Sequence, residues 1–278
     1  MNMQSFKAQK SSSFPFRLAA IDLDDTLLGP DKQISAANAA AVSTLREHGV
    51  RVILASGRRH ENMLRFHQQL GLQGPIVSSQ GALVKDAETS EILHQYPVPA
   101  NLAAEVVAEG IARGMTLIYY HSDGVYVSEK NKWTDLYKSR TGDAPTVYGD
   151  LTILASETPQ KIIWCDAPDR IAALVPQMQA HYEKRLYVVT TDPEFLEFIA
   201  LGVNKAVGVA TVAKRYGIDS AQVLAFGDGN NDVAMLKWAG LGVAMSDARP
   251  SAKAAAALIS PPGDPETSFA RAVAALLD

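Results

Sequence analysis

Apolar residues recur along the chain in two rhythms that predict different elements. Near the N-terminus, short apolar runs such as Leu18 to Ile21 and Arg51 to Ala55 alternate with segments whose apolar residues recur at helical spacing. Such runs are typical of strands buried on both faces, and their alternation with helices indicates βαβ units on a parallel sheet. The same rhythm returns after Asn204, where Val223 to Phe226 forms another apolar run. Both ends of the chain therefore predict one α/β domain.

The middle of the chain has a different rhythm. Leu83 to Tyr96 and Thr116 to Ser128 each predict a hairpin, the second turning at Ser122 to Gly124. Residues 131–160 show no regular pattern, and we expect them to be irregular. Helices followed by paired strands favour an α+β insertion with an antiparallel sheet. We therefore expect a disordered tail at 1–15, a discontinuous core domain at 16–82 and 200–278, and an inserted domain at 83–199.

Composition narrows the class of protein. The 278 residues carry a net charge of -4, which argues against broad binding to nucleic acid or anionic membranes. No apolar run approaches the ~20 residues that span a bilayer, and the first fifteen residues lack the apolar region of a secretory signal. The single cysteine, Cys165, suits a reducing compartment. We expect a cytoplasmic protein, and no obligate protein partner is evident.

Acidic residues follow the first predicted strand. Asp22 and Asp24 are two residues apart, so their side chains project to the same side of an extended chain. The carboxyl ends of strands are where parallel α/β sheets bind ligands. Neighbouring carboxylates at such a place repel each other unless a cation or a bound proton relieves them. The pair therefore indicates a metal site, an acid/base pair, or both.

Further polar residues end predicted strands or begin predicted helices in the α/β portion. They are Ser56 with Gly57, Lys205, and Asp228 with Asn231 and Asp232. Clustered carboxylates bind hard cations such as Mg2+, a serine and glycine before a helix suit an anion, and a lysine supplies charge for a phosphoryl group. This combination indicates phosphoryl transfer. No histidine lies in these segments, which disfavours a Ser-His-Asp hydrolase, and no P-loop motif is present.

Four segments in this order resemble the motifs of the haloacid dehalogenase (HAD) superfamily: D-L-D-D-T-L-L, L-A-S-G-R, the lone lysine, and G-D-G-N-N-D-V-A-M-L. The insertion between the second and third motifs resembles that of the Cof-like phosphatases with a C2 cap. The resemblance covers residues 16–278. It implies a Rossmann-like parallel-sheet core with an inserted α+β C2 cap domain, and it implies that the cap supplies substrate specificity.

The resemblance also implies roles for individual residues. Asp22 would be the nucleophile that forms an aspartyl-phosphate, and Asp24 the general acid and then the general base. Mg2+ would be held by the side chains of Asp22 and Asp228 and by the backbone carbonyl of Asp24. Asp232 would brace the metal site. The phosphate would be held by the Leu23 backbone, Ser56, Gly57, Lys205 and Asn231.

The expected function is that of a Mg2+-dependent phosphatase acting on a small phosphorylated metabolite, most simply a sugar phosphate. A phosphosugar mutase of the same fold is the first alternative. A non-catalytic protein that binds a phosphorylated ligand is the second, although such a protein has no need of the Asp22 and Asp24 pair. Asp25 stands where glycine is common in this family, and Gln80 stands where asparagine is usual. Arg58, the last residue of the second motif, and His60 lie near enough to this motif to contact a substrate.

Overall fold

A computed structural model describes residues 14–121, 124–154 and 157–277 of the chain. In chain order its strands are β1 (Leu18–Ile21), β2 (Arg51–Leu54), β3 (Pro75–Ser78), β4 (Leu83–Asp86), β5 (Ile92–Gln95), β6 (Thr116–Tyr120), β7 (Val125–Val127), β8 (Thr146–Val147), β9 (Lys161–Cys165), β10 (Leu186–Thr190), β11 (Phe195–Ala200), β12 (Val223–Gly227), β13 (Leu241–Ala244) and β14 (Leu258–Ile259). Its α-helices are α1 (Ala36–Glu47), α2 (His60–Gln69), α3 (Ala100–Ala112), α4 (Lys132–Thr141), α5 (Pro168–His181), α6 (Lys205–Arg215), α7 (Val233–Trp238), α8 (Pro250–Ala255) and α9 (Ser268–Leu277).

The first of two compact units contains the described residues up to His94 and those from Asn204 onward. Its main sheet has the strand order β14-β13-β12-β1-β2, and every neighbouring pair is parallel. All four residues of β1 are buried, as expected for a strand with a neighbour on each side. Ile21 is opposite both Leu54 and Phe226, so β1, β2 and β12 end at one edge. The predicted parallel α/β architecture is confirmed.

A buried asparagine fixes the first helix of this unit against the turn that follows β1. Ser35 caps α1, as its position before the apolar pattern predicts, and its hydroxyl accepts from the Asn38 N–H at 3.1 Å. The Asn38 carboxamide donates to the Leu27 carbonyl at 2.9 Å and accepts from the Ala270 N–H at 3.0 Å. The turn after β1 is thereby tied to both α1 and α9.

The second unit runs from Gln95 to Val203 and has the strand order β10-β11-β9-β6-β7-β8. Its pairs are antiparallel except for β7 with β8. The units divide after residues 94 and 203, whereas we expected boundaries at 83 and 199. The first difference arises because β4 pairs with β3, with Val84 opposite Val77, which keeps the first hairpin in the first unit.

One stretch of the second unit contradicts the expectation of irregular structure. Lys132–Thr141 forms helix α4. Asn131 caps it in a reciprocal arrangement with Thr134, and Gly142 ends it with a left-handed φ of 75°. Its residues are mostly polar, and this concealed the helical pattern even though both end signals are present in the sequence.

Two predictions fall partly outside the described residues. Ser122 and Asp123 of the expected second turn lie outside them, as do residues 1–13 of the expected tail. Phe14 is described, and its ring contacts Phe16 with centroids 5.5 Å apart. Among the described residues, no helix combines the length and apolar character that crossing a membrane requires.

Candidate active site

Two aspartates lie together because the strands that precede them are neighbours. Asp22 directly follows β1, and its backbone N–H donates to the Phe226 carbonyl of β12 at 3.0 Å. Asp228 directly follows β12. Asp232 lies one turn further on, and each of the three aspartates offers a carboxylate oxygen within 4.8 Å of those of the other two. The carboxyl edge of the sheet therefore carries an acidic cluster, formed by Asp22, Asp228 and Asp232.

One buried lysine forms ion pairs with two aspartates of this acidic cluster. Lys205 is the first residue of α6, which Asn204 caps by accepting from the Val207 N–H at 3.2 Å. The Lys205 side chain is completely buried, and its Nζ donates to Asp22 and, at 2.6 Å, to Oδ1 of Asp232. Burial by itself lowers the pKa of Lys205, but the two carboxylates outweigh burial and raise the pKa. The ammonium group is therefore held in its charged form.

The carboxylates outnumber the cation beside them. Burial raises the pKa of Asp22 well above its ordinary value, and the nearby Asp232 raises it further against the opposing charge of Lys205. Burial and Asp232 likewise raise the pKa of Asp228 to about 7. Oxygen donors crowded in this way suit a hard divalent cation, whose charge would relieve their repulsion. The donor chemistry of the acidic cluster therefore fits a divalent metal.

The carboxylate of Asp232 accepts several hydrogen bonds from neighbouring groups. Besides Lys205, it accepts from the backbone N–H groups of Asp228 at 3.0 Å and Gly229 at 2.9 Å. A methyl group at Gly227 would lie 2.5 Å from its carboxylate carbon, so only glycine fits there without a shift. These bonds fix the loop after β12 and leave Asp232 less able to bind a ligand than Asp22 or Asp228. This agrees with its expected bracing role, which stays a prediction.

The carboxylate of Asp24 lies in a contrasting environment. Arg58 donates to it through two bonds, Nε to Oδ2 at 2.8 Å and Nη2 to Oδ1 at 2.7 Å. Lys32 approaches the same carboxylate at 3.4 Å. Burial alone raises the pKa of Asp24, but the hydrogen bonds and charge of Arg58, together with Lys32, hold the pKa below its ordinary value. Asp24 is therefore a carboxylate in this arrangement.

The backbone around Asp24 forms a wide turn. The Leu28 N–H donates to the Leu23 carbonyl at 2.8 Å and closes the turn. Asp25 adopts a left-handed φ of 57°, a conformation that glycine adopts without strain and aspartate tolerates better than most residues. Its carboxylate accepts from Lys32 at 2.9 Å. The aspartate at this position thus gains an ion pair that glycine does not provide.

Gln80 links three of the residues that we expect to bind phosphate. Its N–H donates to the Ser56 carbonyl at 3.1 Å, and its side-chain oxygen accepts from Nδ2 of Asn231 at 3.1 Å. A methyl group at Gly57 would collide with the Gln80 amide. The backbone here is left-handed at Ser79 and Gln80, with φ of 49° and 61°.

Sequence reasoning did not assign Gln80 a role. Its departure from the usual asparagine was the one available signal. The structure places the Arg58 guanidinium on Asp24, and its contact with a substrate stays a prediction.

The comparisons with known proteins agree with this geometry. The model of the haloacid dehalogenase-like hydrolases matches residues 19–271, so the chain belongs to that family. A Streptococcus pyogenes serotype M6 protein with a provisional phosphatase name is 28% identical over 249 residues, covering 88% of this chain and 92% of that protein. An HMP-PP phosphatase from Serratia proteamaculans is 28% identical over 238 residues, covering 86% of each chain. A solved sugar phosphatase of HAD subclass IIB has a TM-score of 0.81 at 22% identity, covering 93% of this chain and 98% of that one.

These findings define the class of the protein. It is a haloacid dehalogenase-like hydrolase. Within that family, relatives named as phosphatases support its assignment as a phosphoric monoester hydrolase, an enzyme whose substrate is a small phosphorylated compound.

Proposed function

We propose that the protein is a Mg2+-dependent phosphatase that hydrolyses a small phosphorylated metabolite, most simply a sugar phosphate, through an aspartyl-phosphate at Asp22. One observation carries the proposal: Asp22 lies against Lys205 and Asp228, while Asp24, two residues away, is held as a carboxylate by Arg58. A nucleophile and an acid/base group thus lie in two different environments on one turn. Such separation is how enzymes assign different tasks to two similar carboxylates.

The first chemical step requires a carboxylate to attack a phosphate despite their like charges. An oxygen of Asp22 forms a bond to phosphorus as the bond to the leaving oxygen breaks, and Asp24 gives a proton to that oxygen. Lys205 offsets the negative charge that gathers beside Asp22. Mg2+, held by the carboxylates of Asp22 and Asp228 and the backbone carbonyl of Asp24, would neutralise charge on the phosphoryl oxygens. The phosphate is held in place by Ser56, Gly57, Asn231 and the Leu23 backbone.

In the second step Asp24 takes a proton from water as the water oxygen attacks phosphorus and the bond to Asp22 breaks. Inorganic phosphate leaves, and Asp22 is restored. The ionised Asp24 of this structure is in the form that the second step needs. For the first step Asp24 must carry a proton on one oxygen, so the Arg58 bond to that oxygen must give way once substrate is bound. The bond to the other oxygen keeps the carboxyl group oriented.

The named relatives support two classes of substrate. The subclass IIB relative is named as a sugar phosphatase, which supports a sugar phosphate. The Serratia relative is named for HMP-PP, which makes that compound the first competitor to test. We propose that the inserted unit, from Gln95 to Val203, serves as the cap domain and supplies specificity.

A substrate screen tests the proposal. Sugar phosphates and HMP-PP are incubated with the full chain, with Mg2+ or with excess chelator, and both free phosphate and isomerised product are measured. We expect free phosphate from at least one sugar phosphate, only in the presence of Mg2+. Isomer formation with little free phosphate would instead identify a mutase, and release that is unaffected by the chelator would contradict the metal requirement.

A further inference from the structure

A cavity lies in the first unit, at the amino ends of its strands rather than at their carboxyl ends. It has a volume of about 330 Å³ and is lined in part by Arg17, Arg46, Arg51, Gln73 and Tyr216. Arg17 directly precedes β1, and Arg51 is the first residue of β2. Because Asp22 and Ser56 lie beyond the opposite ends of these strands, the cavity is separate from the acidic cluster. We call it the arginine cavity.

The charged residues that line the arginine cavity are all arginines. Three arginines line it, and its lining contains neither aspartate nor glutamate. Within the described part of the chain, these three arginines make no ion pair with a carboxylate. The protein as a whole has a net charge of -4, so its own carboxylates outnumber its cations elsewhere. Arginines that line one cavity without a carboxylate counter-charge favour the binding of an anion.

Each guanidinium is anchored at one point. The Arg51 guanidinium lies over the Tyr216 ring, 3.9 Å from its centroid. Arg46 donates to the Leu70 carbonyl at 3.1 Å, and Arg17 donates to the Gly217 carbonyl at 3.5 Å. An arginine carries five N–H donors, so one such contact leaves most of them available to a ligand. Anchoring also reduces the conformational entropy that each side chain loses when it binds an anion.

We propose that the arginine cavity binds a small phosphate-bearing anion at a site distinct from the candidate active site. The planar forks of three arginines match the oxygens of phosphoryl groups, which accept pairs of hydrogen bonds. Three positive charges suit a ligand with more than one negative charge, such as a diphosphate or a bisphosphate. The volume is at the lower end of the range for small-molecule sites, so a compact metabolite is expected rather than a large cofactor.

Calorimetric titration of the full chain with inorganic pyrophosphate tests this site. The double variant R46Q/R51Q removes two positive charges at exposed positions, and melting temperatures confirm that it is folded. We expect its affinity for pyrophosphate at this site to be at least tenfold lower than that of the unmodified protein. R65Q is the matched control, because the Arg65 guanidinium also lies over a ring, that of Phe66 at 4.3 Å, but does not line the arginine cavity.

The titrations separate the arginine cavity from the active site. Pyrophosphate that binds only among the residues around Lys205 would give the same curve with R46Q/R51Q as with the unmodified protein. That result, or no binding to the unmodified protein, would overturn the proposal. An equal loss in R65Q would also overturn it, because the effect would then reflect net charge rather than this cavity.

Discussion

Asp22 and Asp24 are two residues apart on one turn, yet their carboxyl groups lie in opposite electrostatic environments. Asp22 shares a buried space with Asp228 and Asp232, and burial raises its pKa in spite of Lys205. Asp24 accepts hydrogen bonds from Nε and Nη2 of Arg58, which holds the pKa of Asp24 low although burial opposes this. We infer that the surrounding charges, rather than the residue type, would assign the proposed role of each carboxylate.

Replacing Asp22, the proposed nucleophile, should have the largest effect on the rate of phosphate release. We expect Asp22→Asn to reduce phosphate release by at least about 10⁴-fold, because an amide does not form the aspartyl-phosphate. The melting temperature should be unchanged or higher, since one of the crowded carboxylates is gone. Steady-state release with the substrate found in the screen measures the first effect. Turnover close to that of the unmodified protein would contradict the mechanism.

Replacing Asp24 should remove acid/base chemistry and leave the acidic cluster intact. We expect Asp24→Asn to lower turnover by about 10² to 10⁴-fold, the usual contribution of a general acid or base. Mg2+ affinity, measured by calorimetry, should change little, because the proposed contact of Asp24 with the metal is its backbone carbonyl. A large loss of Mg2+ affinity would show that the Asp24 side chain belongs with the metal ligands instead.

Replacing Arg58 tests whether its bonds to Asp24 matter for protonation of the leaving group. Without its two bonds, Asp24 is less well oriented to protonate the leaving oxygen. We expect Arg58→Ala to lower kcat/KM for an alkyl phosphate by roughly tenfold or more. The loss with p-nitrophenyl phosphate should be smaller, because that leaving group needs little protonation. Arg58→Lys, which keeps the charge but not the fork, is the control, and equal losses on the two substrates would rule out a role through Asp24.

Gln80 should give the smallest effect of the set. Gln80→Met keeps the length of the side chain but removes the acceptor for Asn231. One neutral hydrogen bond contributes about 1 kcal/mol, so we expect KM to rise about fivefold with kcat nearly unchanged. Because Gln80 would act through Asn231, the double variant with Asn231→Ala should be no worse than Asn231→Ala alone. Effects on KM that multiply in the double variant would show that the two residues act independently.

Much of the fold could be predicted because strong hydrophobic patterns decide it. The bounds of β1 agree with the prediction, since Leu18–Ile21 is a short apolar run that ends directly before polar residues. Helix α4 was missed because its stability depends on end caps and tertiary packing rather than on a long apolar stripe. The second unit begins at residue 95 rather than at 83, because β4 pairs with β3 of the first unit. Hydrophobic periodicity does not reveal which strands pair.

The site was predictable to the extent that its residues lie in short motifs. Asp22, Lys205, Asp228 and Asp232 come together because strand ends and a helix start share one edge of the sheet. The bond between Gln80 and Asn231 joins residues 151 positions apart, and no local pattern encodes it. The fork of Arg58 on Asp24 depends equally on side-chain geometry, which the spacing of the motifs leaves open.

We propose that Asp22 carries the phosphoryl group during turnover. The Asp24→Asn variant tests it most directly, because slow hydrolysis of the intermediate should let phosphorylated enzyme accumulate on a substrate with a good leaving group. The reaction is quenched in acid, and the peptides are mapped by mass spectrometry. We predict one added phosphoryl group on the peptide containing Asp22, and none when Asp22→Asn is added. A phosphoryl group on any other residue, or turnover in Asp24→Asn without a phosphorylated Asp22, would contradict the account.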